Sequence, residues 1–98
     1  MPPFDMARPW TLHPQVAVRP EPFGALLYHF GTRRLSFLKD RRLLAAVQLL
    51  TDEPSAADAC RTAGVHDHEL AGYRAALETL ATSRMIVQRT PPRHPEAP

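Results

Sequence analysis

The sequence predicts an α+β domain of winged helix-turn-helix character, with a three-stranded antiparallel meander followed by three helices. Three observations predict it. Apolar residues alternate with a period of two from Gln15 to Leu38, then switch to helical spacing after Asp40. Prolines and glycines cut the first segment into three short runs. A chain of 98 residues holds one small core, so the sheet and the helices must share it.

The first strand is expected over residues 15–19, closed by Pro20. Residues 20–24 form a turn, where Pro20 and Pro22 fix φ and Gly24 is free to take an unusual dihedral. A second strand covers residues 25–30. Gly31 and Thr32 suit a two-residue type II′ turn. A third strand covers residues 33–38. This turn pairs Phe30 with Arg33, Tyr28 with Leu35 and Leu26 with Phe37. One face of the hairpin then carries Leu26, Tyr28, Phe30, Leu35 and Phe37, and its apolar character predicts that it meets the core. The other face, with Ala25, Leu27, His29, Arg34, Ser36 and Leu38, is expected to point outward. Arg34 is thus expected on the outer face, with Arg33 opening the core-facing row.

The helices follow. Asp40 caps the first, whose stripe is Leu43, Leu44, Val47 and Leu50. Residues 51–54 end it and start the second, with Ala56, Ala59, Cys60 and Ala63 as a narrow stripe and Gly64 as terminator. Asp67 is expected to cap the third, which places Leu70, Tyr73, Leu77 and Leu80 on one face. Residues 83–87 are a short apolar finish. The proline-rich ends, residues 1–9 and 88–98, are expected to be disordered, leaving residues 10–87 as the domain.

Composition excludes several functions. The single cysteine, Cys60, makes no internal disulfide and holds no iron–sulfur cluster, and it reads as a buried helix residue. His66 and His68 are closely spaced, but the other histidines are scattered, so no metal site and no cofactor are expected. No Gly-rich phosphate loop or nucleophile–base constellation appears, which argues against an enzyme. No run reaches the roughly 20 apolar residues of a membrane span, and the start lacks secretory character, so the expected location is cytoplasmic. A helix-turn-helix over residues 54–82 raises the alternative of a winged-helix DNA-binding regulator. Against it, the third helix starts His66, Asp67, His68, Glu69, and carboxylates there would repel phosphate. No nucleic-acid partner is expected.

The sheet edge is the remaining candidate. The third strand of a meander has one partner, and its outer backbone groups are free to pair with an extended peptide. Arg33 and Arg34 would attract acidic residues. The same exposed edge permits strand exchange between copies, so a monomer or weak dimer is expected.

Residues 12–40, LHPQVAVRPEPFGALLYHFGTRRLSFLKD, closely resemble the peptide chaperones of mycofactocin biosynthesis. The later helices, through SRMIV at residues 83–87, are also similar. More distantly, the strand order is similar to that of the pyrroloquinoline quinone peptide chaperones, and both groups are RiPP recognition elements. The resemblance implies that the leader of a ribosomally made precursor peptide adds as a strand beside the third strand and lies against the third helix. It implies a radical SAM maturase as the second partner, with the iron–sulfur chemistry in that partner. Carried onto this chain, the peptide-binding residues are Arg33, Arg34, Leu35, Ser36, Phe37 and Leu38 on the strand, and Tyr73, Arg74 and Leu77 on the helix.

Overall fold

Two antiparallel sheets organise the chain in the computed structural model, which describes residues 4–89. Strand β1 (Trp10–Leu12) pairs with β5 (Ile86–Gln88), and β2 (Val16–Glu21), β3 (Gly24–His29) and β4 (Arg34–Leu38) form the meander in that order. Helices α1 (Arg41–Leu49), α2 (Ala56–Thr62) and α3 (Leu70–Thr82) lie between β4 and β5. The α+β class and the sequence of strands then helices are as expected. The β1–β5 pair is an addition, because three-residue strands 74 positions apart leave no period to read.

The meander boundaries are sharper than the sequence reading. β2 runs through Pro20 as far as Glu21, which pairs with Gly24, so the turn is Pro22 and Phe23 alone. Proline is tolerated in β2 because that strand lies at a sheet edge. Gly24 has φ of +149°, and a Cβ there would sit 1.9 Å from the Leu38 carbonyl oxygen. Only glycine fits. The β3–β4 register Tyr28↔Leu35 and Leu26↔Phe37 agrees with expectation, but Phe30 and Arg33 do not pair. They belong to a four-residue loop in which Arg33 is left-handed, at φ +62°, and its amide donates to the His29 carbonyl at 2.7 Å.

The face assignment is reversed. Ala25, Leu27, His29 and Leu38 are buried, whereas Phe30, Leu35 and Phe37 are exposed and Leu26 and Tyr28 half-buried. Two residues, Lys39 and Asp40, join β4 to α1. Leu38 and Leu43 must therefore enter the same core, and the face that carries Leu38 becomes the inner one. Both faces of the hairpin are apolar, so counting apolar residues could not discriminate. The correction extends to the arginines. Arg34 shares the inward row with His29 yet stays exposed at its end, and Arg33 belongs to the loop.

Helix α1 is capped by the Asp40 carboxylate, which accepts from the Arg42 amide at 2.8 Å. It buries Leu43, Ala46 and Val47, with Leu50 just beyond. Ser55 caps α2, whose Ala56, Ala59 and Cys60 are fully buried, and Gly64 ends it with φ +95°. A 3-10 turn (Asp67–Glu69) leads into α3 in place of a direct Asp67 cap. Full burial of Leu27, Leu38, Leu50, Leu77 and Ile86 stabilises the fold by about 1.5–3 kcal/mol each.

The ends also need correction. Phe4 is in the core and its ring lies 4.8 Å from that of Trp10, while the indole N–H donates to the Asp5 carbonyl at 2.9 Å. The amides of Ala56 and Ala57 donate to the carbonyls of Arg8 and Met6 at 3.1 and 2.9 Å. This segment therefore satisfies two orphan donors at the start of α2. Gln88 belongs to β5, and the Arg89 guanidinium donates to the carbonyls of Leu50, Thr51 and Glu53. The remaining residues of the two expected tails, 1–3 and 90–98, lie outside the described residues.

Candidate functional site

Among the described residues, β4 has β3 as its sole strand partner. The Leu38 carbonyl is turned toward β3, since it closes on Gly24. In an antiparallel strand a residue's N–H and C=O point to the same side, and the side alternates along the chain. Ser36 therefore bonds inward to Leu27, its register partner. The N–H and C=O groups of Leu35 and Phe37 point outward. Four backbone groups thus line the free edge.

The hairpin tip is held by His29. Its Nδ1 accepts from the amides of Gly31 and Thr32 at 3.0 and 3.1 Å. An Nδ1 that accepts two N–H bonds carries no proton of its own. Its Nε2 is buried and has no hydrogen-bond partner among the described residues, and the ring packs 4.3 Å from that of His13. Burial pushes the His13 imidazole below its usual range, helped by the nearby His29 and Arg84. Arg33 and Arg34 stand exposed beside this tip and enter no ion pair among the described residues.

The outer face of the sheet is apolar and open. Phe23, Phe30, Leu35 and Phe37 are 47–61% exposed. Phe23 lies 6.3 Å from Phe37, and Tyr28 meets Phe30 edge-on at 4.9 Å. Sequence reasoning assigned Tyr28, Phe30, Leu35 and Phe37 to the core. The two-residue link from β4 to α1 was the signal that places them outside.

The α3 residues divide. Leu77 is fully buried and Tyr73 nearly so, so both pack α3 onto the core and present little or no surface. Arg74 is exposed and lies 3.7 Å from Glu78 on its own helix. The Tyr73 hydroxyl donates to the Asp40 carboxylate at the β4–α1 junction. This tie holds α3 beside the end of β4.

Around that tie is a polar cluster that no sequence spacing announced. Arg42 makes a bidentate pair with Glu69 at 2.8 and 2.8 Å and lies 5.6 Å over the Tyr73 ring. Glu69 also accepts from the His66 amide at 3.0 Å, which closes the start of α3. The Arg42 and His66 hydrogen bonds hold the Glu69 carboxyl down at about 2. Burial pushes the Asp40 carboxyl up, but the Tyr73 hydroxyl and the Arg42 amide outweigh it and leave it below the usual range. Burial, then the bond to Asp40, pushes Tyr73 up to about 12. Cys60 is buried, and that burial raises its thiol. Among the described residues no group of three or more His, Cys, Asp or Glu side chains is placed to hold a metal, and no helix is long and apolar enough to cross a membrane.

Comparison with known proteins finds relatives that are peptide chaperones. The model of the peptide chaperone MftB family matches residues 9–87. A peptide chaperone MftB of Mycobacterium tuberculosis is 64% identical over 86 residues, covering 88% of this chain and 79% of the relative. That of Mycobacterium ulcerans is 64% identical over 84 residues, covering 86% and 77%. That of Mycolicibacterium smegmatis is 56% identical over 88 residues, covering 90% and 86%. No solved structure gave a match. A peptide chaperone is not an enzyme. The chain belongs to the peptide chaperone MftB family of mycofactocin biosynthesis.

Proposed function

We propose that the chain captures the leader of a ribosomally made precursor peptide as a fourth strand beside β4 and presents that precursor, in the cytoplasm, to a radical SAM maturase. The observation that carries this reading is the free edge of β4, with four outward backbone groups between two exposed arginines and a buried anchor at Leu38. The peptide-facing residues of the expected set are Arg33, Arg34, Leu35 and Phe37, with Arg74 contributing charge from α3, while Ser36 and Leu38 bond and pack inward and hold the strand in place. Tyr73 and Leu77 act by holding α3 in place. Four edge hydrogen bonds at about 0.5–1.5 kcal/mol each, with one or two apolar anchors, offset the ordering of the peptide and give roughly micromolar affinity. Arg33 and Arg34 favour an acidic leader.

The test is a fluorescence-anisotropy titration of a labelled acidic leader peptide against the chain and against Arg34→Glu, with random duplex DNA as competitor. Leader binding that weakens at least several-fold in Arg34→Glu and resists duplex supports the reading. Salt-sensitive binding to the duplex with no binding to the peptide would refute it.

A further inference from the structure

The outer face of the meander is not used by strand addition, which takes the edge. It is nonetheless where the exposed large apolar side chains gather. Phe23, Phe30, Leu35 and Phe37 lie there in a near-continuous aromatic surface with half-buried Leu26 and Tyr28. Isolated exposed apolar residues are ordinary, but a contiguous aromatic patch marks an interaction surface.

We infer that this face is the docking surface for the maturase and that it is completed by the bound leader; the inference rests on the strand-addition reading above. The geometry is that of a pleated sheet. A peptide strand beside β4 continues the sheet, and alternate peptide side chains emerge next to Leu35 and Phe37 on the same face. Four half-exposed side chains supply on the order of 400 Å² at about 200 Å² per aromatic group. A stable interface needs about 800 Å² from each partner. The bare patch is too small to hold a partner firmly, and the loaded sheet approaches the required size.

Charge selects the occupant. The rim carries exposed Arg33, Arg34, Lys39 and Arg41, and a further exposed cation, Arg19, that is matched by Glu21 at 2.8 Å. The other nearby carboxylate, Asp40, is turned to the Tyr73 hydroxyl and the Arg42 amide, so the rim keeps a cationic excess. A second copy of the chain would set two cationic rims face to face across a small area. The surface fits a protein that offers apolar side chains inside a border of carboxylates, and that is the chemistry the structure assigns to the maturase contact.

The experiment uses purified maturase and the full chain, with and without the leader peptide, followed by calorimetric titration. Phe23→Ser/Phe30→Ser removes two patch residues that lie outside the leader-binding set, and Arg19→Glu alters the rim without touching the core. Saturating leader should tighten maturase binding to the wild-type chain several-fold. The double variant should weaken it at least tenfold while leader affinity stays within twofold. Arg19→Glu should also weaken it, most strongly at low salt. Unchanged maturase affinity in both variants overturns the inference. Equal loss of leader affinity overturns it too, by making the patch part of the leader site. A wild-type dimer in sedimentation, dissociated by the double variant, overturns it in favour of a second copy. A wild-type chain that binds leader but no maturase at any leader concentration removes the presentation reading, and this inference with it.

Discussion

Proline placed at adjacent positions of β4 distinguishes its two sides. Leu35 points its amide away from β3, and Ser36 points its amide toward Leu27. Leu35→Pro removes an N–H that points away from β3 and has no strand partner among the described residues, and proline is tolerated at such edge positions. The variant should fold with a Tm close to that of Leu35→Ala. In the complex it lacks one of four edge hydrogen bonds, worth about 0.5–1.5 kcal/mol, so leader Kd should rise roughly 2- to 12-fold beyond that of Leu35→Ala. Ser36→Pro removes a ladder bond to β3 and clashes with its neighbours, costing about 2–3 kcal/mol. At roughly 4–8 °C per kcal/mol, its Tm should fall by about 10–20 °C. Anisotropy titration and thermal denaturation monitored by circular dichroism read the two effects. A folded Leu35→Pro that binds leader as well as Leu35→Ala would refute strand addition at this edge. A Ser36→Pro of unchanged Tm with weakened binding would show that the alternation has been assigned the wrong way round.

Two glycines make opposite stability predictions. Gly24→Ala places a Cβ 1.9 Å from the Leu38 carbonyl in a left-handed backbone and should destabilise by about 2–4 kcal/mol. Gly72→Ala lies in α3 with nothing within 4 Å and should stabilise by about 0.5–1 kcal/mol in urea unfolding. Glu69 is held near 2 from an ordinary 4.5, so its contribution is complete above about 4.5 and is lost as pH falls toward about 2. Glu69→Gln should flatten that part of an acid-unfolding profile. Tyr73 is raised to about 12, so its contribution is complete below about 10 and is lost as pH rises through about 12. Ultraviolet titration of the two tyrosines should show one ionising late, and Tyr73→Phe should abolish that late step.

Some turns and caps were legible because they rest on local chemistry, whereas the two-residue turn expected at Gly31–Thr32 is a four-residue loop and the cap expected at Asp67 is a 3-10 turn. Pro22, Gly24, Asp40 and Gly64 each do what their dihedral limits or side-chain oxygens dictate. The β3–β4 register came out as expected because a two-residue and a four-residue loop centred on Gly31 and Thr32 set the same pairing. Its facing was not legible, since Ala25 and Leu27 on one side compete with Leu26 and Tyr28 on the other, and the deciding contact is made by the helix beyond. The β1–β5 pair and the seat of Phe4 are tertiary outcomes of segments that are short and proline-flanked. The Arg42–Glu69 pair spans 27 positions and follows no helical or strand spacing. Within the candidate site, the free edge was readable from strand order alone. The aromatic face beside it was hidden by the assumption that apolar residues of a small protein belong inside.

The pairing of Trp10 with Gln88 brings these two residues to the same end of one short ribbon, from which residues 4–9 run on to the start of α2. Tension applied across Trp10 and Gln88 would load that ribbon as an unzipping contact, breaking its bonds one after another at low force. The meander, which lies wholly inside the loop closed by this ribbon, would bear no load until the ribbon had opened. A split or circularly permuted chain would have to keep Trp10 and Gln88 paired to hold the meander inside that loop.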